Sequence, residues 1–545
     1  MAVTVTVPSD SELRCAVQTL VDYCSCRELI GHDDRAWAYN TVLECAGATG
    51  PAPQTAWVLA QESEVDSPAD FNLEGTLDTI AEAAVNNGVA EDTASGRDRA
   101  SMRIMGTLMP KPSECISEFH GRLGVGEPVS ATDWFYKMSC DAGYVRRAAI
   151  ARNICWDTQT RWGNLEITIN LSKPEKDPRD IAAAGAAKPS SEVYPACQLC
   201  IENEGYPGRG ASTGSAHPAR QNLRIIPIEL GGDRWGLQYS PYAYFNEHCI
   251  AMSCHHRPMH IDAEALECLL DFVDTLPHYF IGSNADLPIV GGSILSHDHY
   301  QGGAHEFAMM KAKVAGEFTI PGFEGVEGAV MQWPLSVLRL RGTDRTQVAA
   351  AAVHVIDAWR AWTDAEAGVV ARSEDGTPHN TVTPIVRRVD SLDRPGGDIY
   401  EVFLALRCNI TTDEHPMGVF HPHAEWHHIK KENIGLIEVM GLAVLPPRLV
   451  GELGAVEDLL VDAASGTIDA AGLAAALEAN ELAAPHAAWA EDVFARRGAQ
   501  ISKETAQDIV REEVGQVFGH VLEDAGVFKW DEAGRAAQQR FIDSL

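Results

Sequence analysis

The chain has 545 residues, with 77 acidic against 43 basic side chains, and a formal charge of −34. That balance excludes a nucleic-acid partner, because binding a polyanion needs an excess of Lys and Arg to displace counterions, and it argues equally against docking on anionic lipid. A small phosphorylated ligand stays open, since a few cations and backbone N–H groups in one pocket suffice for it.

Hydrophobic residues at 45% and charged ones at 22% are ordinary for a globular protein with a sizeable core, and the length suggests about three units of structure. No apolar run approaches the ~18 residues of a membrane span, and the opening MAVTVTVPSD has neither the basic nor the apolar region of a secretory signal. The 13 cysteines lack a framework spacing. Reduced thiols in a cytoplasmic protein, mostly acting as small buried hydrophobes, are therefore expected.

In chain order, residues 9 to about 110 read as helical: Ser9 and Glu12 have capping-box spacing, and Leu13, Val17, Leu20 and Val21 share one helical face. Residues 140–190 are mixed, with a linker-like stretch from Pro174 to Pro189. Short β-like runs follow at Asn222–Glu229, Trp235–Ser240 and Glu247–Ser253, then a helix N-capped by Asp262 and carrying Ala265, Leu266, Leu269, Leu270, Val273 and Leu276. An apolar strand over Ile289–Leu295 and a run over Ala304–Val314 come next. A second cycle gives a strand at Met331–Leu340, a helix at Thr346–Thr363, and strands at Asn380–Arg387 and Ile399–Cys408. Each half holds a His-x-His, His297-Asp-His299 and His421-Pro-His423, which hints at internal duplication. From Pro446 onward the chain is Ala-rich, with 18 acidic and 8 basic residues, and reads as a helical appendage.

Of 20 histidines, 16 lie between His217 and His428, which points to chemistry in the middle of the chain. Gly291 and Gly292 would let the backbone approach a ligand closely. In an extended segment His297 and His299 face the same side, so one can act while the other positions it or binds metal. Cys197-Gln-Leu-Cys200 can supply one edge of a metal tetrahedron, or be a metal-free buried thiol pair; no thioredoxin-like context supports a redox role. Arg220 and Arg224, in PARQNLR, are candidates for bidentate phosphate binding.

The run Asp286–Gly303, DLPIVGGSILSHDHYQGG, resembles the signature of the second (Gram-positive-type) family of galactose-1-phosphate uridylyltransferases. The resemblance extends through PARQNLRIIP (218–227), YFNEHCI (244–250), HRPM (256–259), NTVTPI (380–385) and HPHAEWHHIKKENIGLIEVMGLAVLP (421–446), and the N-terminal YCSCRELIGHDDRAWAYN looks like the family's opening helix.

The resemblance implies an α+β fold of two histidine-triad-like halves with antiparallel sheets: an N-terminal, mainly helical extension over 1–190, halves at 191–315 and 316–446, and an acidic helical extension over 447–545. It implies exchange of UMP between UDP-glucose and galactose 1-phosphate, giving glucose 1-phosphate and UDP-galactose, by a ping-pong route through a uridylyl-histidine. His299 would be the nucleophile and Gln301 a donor to a non-bridging phosphate oxygen. In the first family of these enzymes, a CxxC, a later histidine and the first histidine of His-x-His hold zinc. Carried over, that set is Cys197, Cys200, His256 and His297, with His255 and His248 as rivals for the third place. Proline stands between the histidines in the first family, whereas Asp298 stands here; a carboxylate there should point away from phosphate, towards a histidine or a backbone donor.

Asn284 and Ser293 resemble nucleotide contacts. Lys430, Lys431 and Glu438 lie in a stretch that contacts hexose phosphate and sugar in relatives, with solvated lysines as the alternative. The second triplet is open between metal, packing and hexose contact. A homodimer is expected. The competing readings are a metal-dependent hydrolase, for which aspartate ligands at defined intervals are missing, and a zinc-stabilised binding protein.

Overall fold

A computed structural model describes residues 7–53, 71–172, 197–210, 213, 216–292, 294–391 and 394–545; the linker-like stretch 174–189 and Ser293 lie outside these. The N-terminal helix Asp10–Cys26 starts at the expected capping box, with the Ser9 N–H donating to Glu12 and the Glu12 N–H to Ser9 Oγ. Among the described residues, helices of ten residues or longer follow at Arg35–Cys45, Leu73–Asn86, Ala94–Thr107, Pro112–Gly124 and Pro128–Asp141.

Strands β1 (Ile154–Thr160) and β2 (Gly163–Ile169) form a hairpin. The centre of the molecule is then built by one motif used twice. In the first half, β3 (Ile226–Leu230), β4 (Asp233–Tyr239), β5 (Cys249–Ser253), the helix Ala263–Thr275, β6 (Phe280–Gly282) and β7 (His299–Gly303) follow in sequence. In the second half the same order recurs as β8 (Val314–Phe318), β9 (Glu327–Met331), β10 (Val337–Gly342), the helix Arg345–Ala361, β11 (Asn380–Ser391) and β12 (Arg394–Cys408). Together they make one antiparallel ten-stranded sheet, ordered β3-β4-β5-β7-β6-β11-β12-β10-β9-β8. Within the sheet the halves meet at β6 and β11 through two ladder pairs, Gly282 with Ile385 and Ile281 with Val386. A side chain on Gly282 would lie 2.9 Å from both the Pro384 carbonyl and Leu436 Cδ1, so glycine alone lets this seam close.

Both long central helices pack on one face of the sheet. There Leu266, Leu270 and Val273 meet Ile228, Leu237 and Tyr300, while Val348, Val355 and Trp359 meet Leu338, Val386 and Leu404. Over the second half, the other face is covered by the chain from 429 onward: Phe403, Ala405 and Ile385 pack with Leu436, Val439 and Met440, and with Val510, Val514 and Phe518 of the helix Ala506–Ala525. A short β13 (Leu442–Leu445) lies parallel to β2, tying the hairpin to this layer. The C-terminal hundred residues are helical as expected, in Leu449–Ala464, Ala470–Ala479, Ala487–Arg497, Ala506–Ala525 and Glu532–Asp543.

Three local expectations are corrected. Residues 289–292 and 294–295 form no strand beyond an isolated bridge between Ala285 and Gly291, because Ile289 adopts φ +74° and Gly291 presses on the Ala285 carbonyl, where a Cβ would lie 2.3 Å away. The expected strand Met331–Leu340 is two strands, β9 ending at Met331 and β10 beginning at Val337, with Pro334 in the break. Duplication is real, but the His-x-His triplets do not mark it. His297 leads into β7, whereas His421 lies well beyond the end of β12, the counterpart of β7.

Trp359 holds the ends of β11 and β12 against the helical layer, its indole N–H donating to the carbonyls of Thr381 and Arg407. Trp359→Phe removes that donor and leaves a void in a fully buried site. It is expected to lower stability by about 2–4 kcal/mol, measured as a shift of the urea midpoint at unchanged slope.

Candidate active site

The alternation of β7 sorts its side chains. Tyr300 stacks on Trp235 on the helix side, ring centroids 4.7 Å apart, so His299 and Gln301 point to the opposite face. His299 is 5% exposed, and its Nδ1 lies 2.8 Å from the His297 carbonyl. A carbonyl only accepts, so Nδ1 carries the proton and Nε2 keeps its lone pair. Burial lowers the His299 pKa, against the raising effect of that backbone contact, and so holds the ring neutral.

His297 makes the complementary choice. Its Nε2–H donates to the Ser253 carbonyl at 2.9 Å, which turns the Nδ1 lone pair towards Cys197 Sγ at 3.4 Å and Cys200 Sγ at 3.5 Å. His256 Nε2 lies 2.7 Å from Cys200 Sγ. The four residues expected from the sequence are therefore together, as two overlapping triads that share Cys200: Cys197–Cys200–His297 and Cys200–Glu202–His256. Glu202, not foreseen, places both carboxylate oxygens 3.4 Å from His256 Nε2. The rivals for the third place go elsewhere: His255 is exposed and His248 binds Gln301.

This donor set fits a metal. With Zn–S about 2.3 Å and Zn–N about 2.0–2.1 Å, a tetrahedron has S···N edges of about 3.5 Å, which the His297 contacts match. His256 stands closer than that edge and is the more exposed ligand, so it is the one that would yield. The two thiols share a hydrogen bond that pushes Cys197 well below the ordinary thiol range and Cys200 above it, so one thiolate is already favoured. Burial disfavours imidazolium at His297, but the contacts with Cys197 and Ser253 outweigh it and raise its pKa. The turn is held from behind: Asn203 donates to the Cys197 carbonyl and Gln238 to the Leu199 carbonyl.

Asp298 faces the other way, as its position between the histidines requires. Its partner is a cation, Arg257, whose Nε donates to Asp298 Oδ2 at 3.2 Å, neither a histidine nor a backbone donor. Burial raises the Asp298 pKa to about 6, with Arg257 opposing.

The remaining candidates divide. Asn284 is buried at the seam, where its Oδ1 accepts from the Leu436 N–H at 2.9 Å and its side chain fills the space a Cβ on Gly292 would need. Gly291 and Gly292 are thus accounted for by the chain folding on itself. Lys430 is buried rather than solvated, 3.0 Å from Glu438, which also accepts from the Gly435 N–H. Lys431 is exposed and apart from that pair. Arg220 lies over Tyr144, whose hydroxyl reaches Gln238 behind the Cys197–Cys200 turn. Arg224 is spent on the carbonyls of Pro110, Gln221 and Leu223, so it fastens the N-terminal helices instead of facing the cluster. Among the described residues the second triplet joins no group of three metal-ligating atoms; His421 contacts Asn433, and His423 stacks on His415.

One functional contact escaped the sequence. His248 Nε2 lies 3.0 Å from Gln301 Oε1, its ring packed against Phe245 with centroids 4.5 Å apart. Burial pushes the His248 pKa down to about 4. The signal was present in the alternation of β5 and the two residues before it, which puts His248 on the face of Ile250 and Met252, the cross-strand partners of Gln301 and His299.

Family models for the galactose-1-phosphate uridyl transferase N-terminal and C-terminal domains match residues 60–258 and 272–468. The chain belongs to the galactose-1-phosphate uridylyltransferase family. Its relatives include the galactose-1-phosphate uridylyltransferases of Bacillus subtilis, 46% identical over 97% of this chain and 97% of that one, and of Halalkalibacterium halodurans, 45% identical over 98% and 99%. That of Latilactobacillus sakei is 44% identical over 94% and 95%. No helix among the described residues is long and apolar enough to cross a membrane.

The depressed pKa of His248 sets a stability trend. The unfolded chain takes up a proton near the ordinary value of about 6.5 and the folded one only near 4, so stability is intact above about 6.5 and is lost as pH falls through that window. The loss assigned to His248 is about 3 kcal/mol. Urea unfolding at stepped pH is expected to show a steeper decline for the wild type than for His248→Gln; parallel declines would show that burial does not hold His248 neutral.

Proposed function

We propose that this chain carries a uridylyl group from UDP-glucose to galactose 1-phosphate on Nε2 of His299, releasing glucose 1-phosphate and then UDP-galactose by a ping-pong route. Transfer between these substrates follows from membership of the family. The observation that carries the assignment to His299 is its hydrogen bond to the His297 carbonyl, which commits Nδ1 and leaves Nε2 as the nucleophile.

In the first half-reaction the Nε2 lone pair forms a bond to the α-phosphorus as the bond to the glucose 1-phosphate oxygen breaks. Galactose 1-phosphate then reverses the step, one of its phosphate oxygens bonding phosphorus while the phosphorus–nitrogen bond breaks. No proton has to leave the imidazole, because its single N–H stays on the His297 carbonyl and is strengthened when the ring becomes cationic. The amide N–H of Gln301 donates to a non-bridging oxygen as charge grows there; such a donor contributes about 3–4 kcal/mol in the transition state. Arg220, Asn284, Gly291, Gly292, Ser293, Lys430, Lys431 and Glu438 complete the substrate-binding set in this reading, with the Lys430–Glu438 pair supported by its burial beside the seam. Arg224 is a structural anchor.

Zinc would be held by Cys197, Cys200, His256 and His297, and when bound it supplies a rigid cross-link between the turn at 197–200 and the segment presenting His299. No organic cofactor enters the reaction. The same reading places the protein in the cytoplasm as a homodimer without nucleic-acid or membrane partners, divided into units at 1–190, 191–315, 316–446 and 447–545.

Incubation with UDP-glucose labelled at the α-phosphate is expected to give an acid-labile, base-stable covalent label. His299→Asn should abolish the label and lower exchange by at least about 10³-fold; a variant that still labels at full extent would move the nucleophile elsewhere. Metal analysis of purified protein should find about one zinc per chain, and Cys200→Ser should lose it. Metal-free wild-type protein with full exchange activity would remove zinc from the reading.

A further inference from the structure

We propose that His248 is a positioning residue: its Nε2–H captures Gln301 Oε1 and so forces the Gln301 amide to present N–H, and not C=O, to the transferred phosphoryl group. The inference rests on the role given to Gln301 above and adds what makes that role possible.

A primary amide has two nearly isosteric ends of opposite polarity. Left to itself beside a phosphate, Gln301 would sample both, and the end that accepts would repel the non-bridging oxygens. Its orientation is settled by the partner behind it, at 3.0 Å. That partner is a histidine, which can donate or accept from Nε2, so the question passes to the other ring nitrogen. His248 Nδ1 is buried with no hydrogen-bond partner among the described residues. If Nδ1 carried the proton, a polar N–H would be orphaned in the interior, a rare and costly state; if Nε2 carries it, only a lone pair is left unused. The second arrangement is preferred, and it makes Nε2 the donor and Oε1 the acceptor.

The surroundings hold that choice. The ring is 2% exposed, packed on Phe245 and tilted against Tyr244 at 5.8 Å. The same burial keeps the ring neutral. A cation here would have a second N–H with nothing to accept it. Met252 and Ile250, on the same face of β5, pair with His299 and Gln301 across the ladder. One strand therefore supports both members of the chemistry, by packing in one case and by a directed hydrogen bond in the other.

Two substitutions separate position from packing. His248→Phe keeps an aromatic ring and deletes the donor. His248→Gln keeps an N–H close to the place of Nε2. Single-turnover uridylylation by UDP-glucose is expected to slow by about 10²-fold in His248→Phe and in Gln301→Ala alike, with KM for UDP-glucose within about threefold of wild type. His248→Gln should recover to within about tenfold of wild type, and the double variant His248→Phe/Gln301→Ala should be no slower than Gln301→Ala alone.

Full rate in His248→Phe while Gln301→Ala is impaired, or losses that multiply in the double variant, would overturn the inference and leave the role of Gln301 standing. Full rate in Gln301→Ala would overturn both. A measurement on unsubstituted protein covers the case in which His248→Phe does not fold. In protein labelled with ¹⁵N-histidine, His248 should appear as the Nε2–H tautomer; the Nδ1–H tautomer would reverse the amide and refute the proposal.

Discussion

Two imidazoles two residues apart each give one nitrogen to a main-chain carbonyl, and the site depends on which nitrogen each gives. His297 commits Nε2 to Ser253 and His299 commits Nδ1 to His297 itself. The first choice aims a lone pair at two thiols and the second leaves the Nε2 lone pair of His299 uncommitted. Neither needs a charged neighbour. Both need carbonyls held at fixed places, and β5, β7 and the antiparallel ladder between them supply that. Burial excludes water from both rings and holds His299 neutral, while the contacts of His297 with Cys197 and Ser253 raise its pKa.

The seam between the halves is the second requirement. Two residue pairs join ten strands into one sheet, and the first half's loop 284–292 meets the second half's short helix Leu436–Val439 through Asn284. The buried Lys430–Glu438 pair sits in that same covering layer. The buried Lys430–Glu438 pair thus comes from the second half, while His299 and the thiols come from the first, in a chain whose last hundred residues account for 10 of the 34 excess negative charges. The net charge of −34 describes the chain as a whole, and the candidate site is built from buried imidazoles and internally paired ions.

How much of this was legible before any coordinates depended on how local the cause is. The helix Ala263–Thr275 was plain from its period and from Asp262, whose side chain accepts from the Ala265 N–H. The assembly of Cys197, Cys200, His256 and His297 spans 100 residues and could be anticipated only through the family pattern. An apolar run with two glycines, as at 289–292, looks the same whether it pairs or turns, and the positive φ at Ile289 is not written in that local pattern. Arg224 illustrates a different limit: a guanidinium suits a phosphate or three carbonyls equally well, and only the approach of Pro110, more than a hundred residues earlier, decides between them. The pairing of β13 with β2 was hidden for the same reason, since Leu442 and Glu166 are distant in sequence.

The register of the repeated motif pairs positions of the two halves with one another. Gly282 faces Gln301 in one half and Ile385 faces Phe403 in the other, and Gly282 and Ile385 face each other across the seam. Two residues before Gln301 and Phe403 stand His299 and Glu401, which are therefore counterparts. Glu401 is buried and bound by Arg387, with Arg339 and Arg341 beside it. Where one copy has a buried imidazole, its twin has a carboxylate locked among arginines, and Arg387, reaching on to Glu306 just past β7, lets the second copy brace the strand that carries His299.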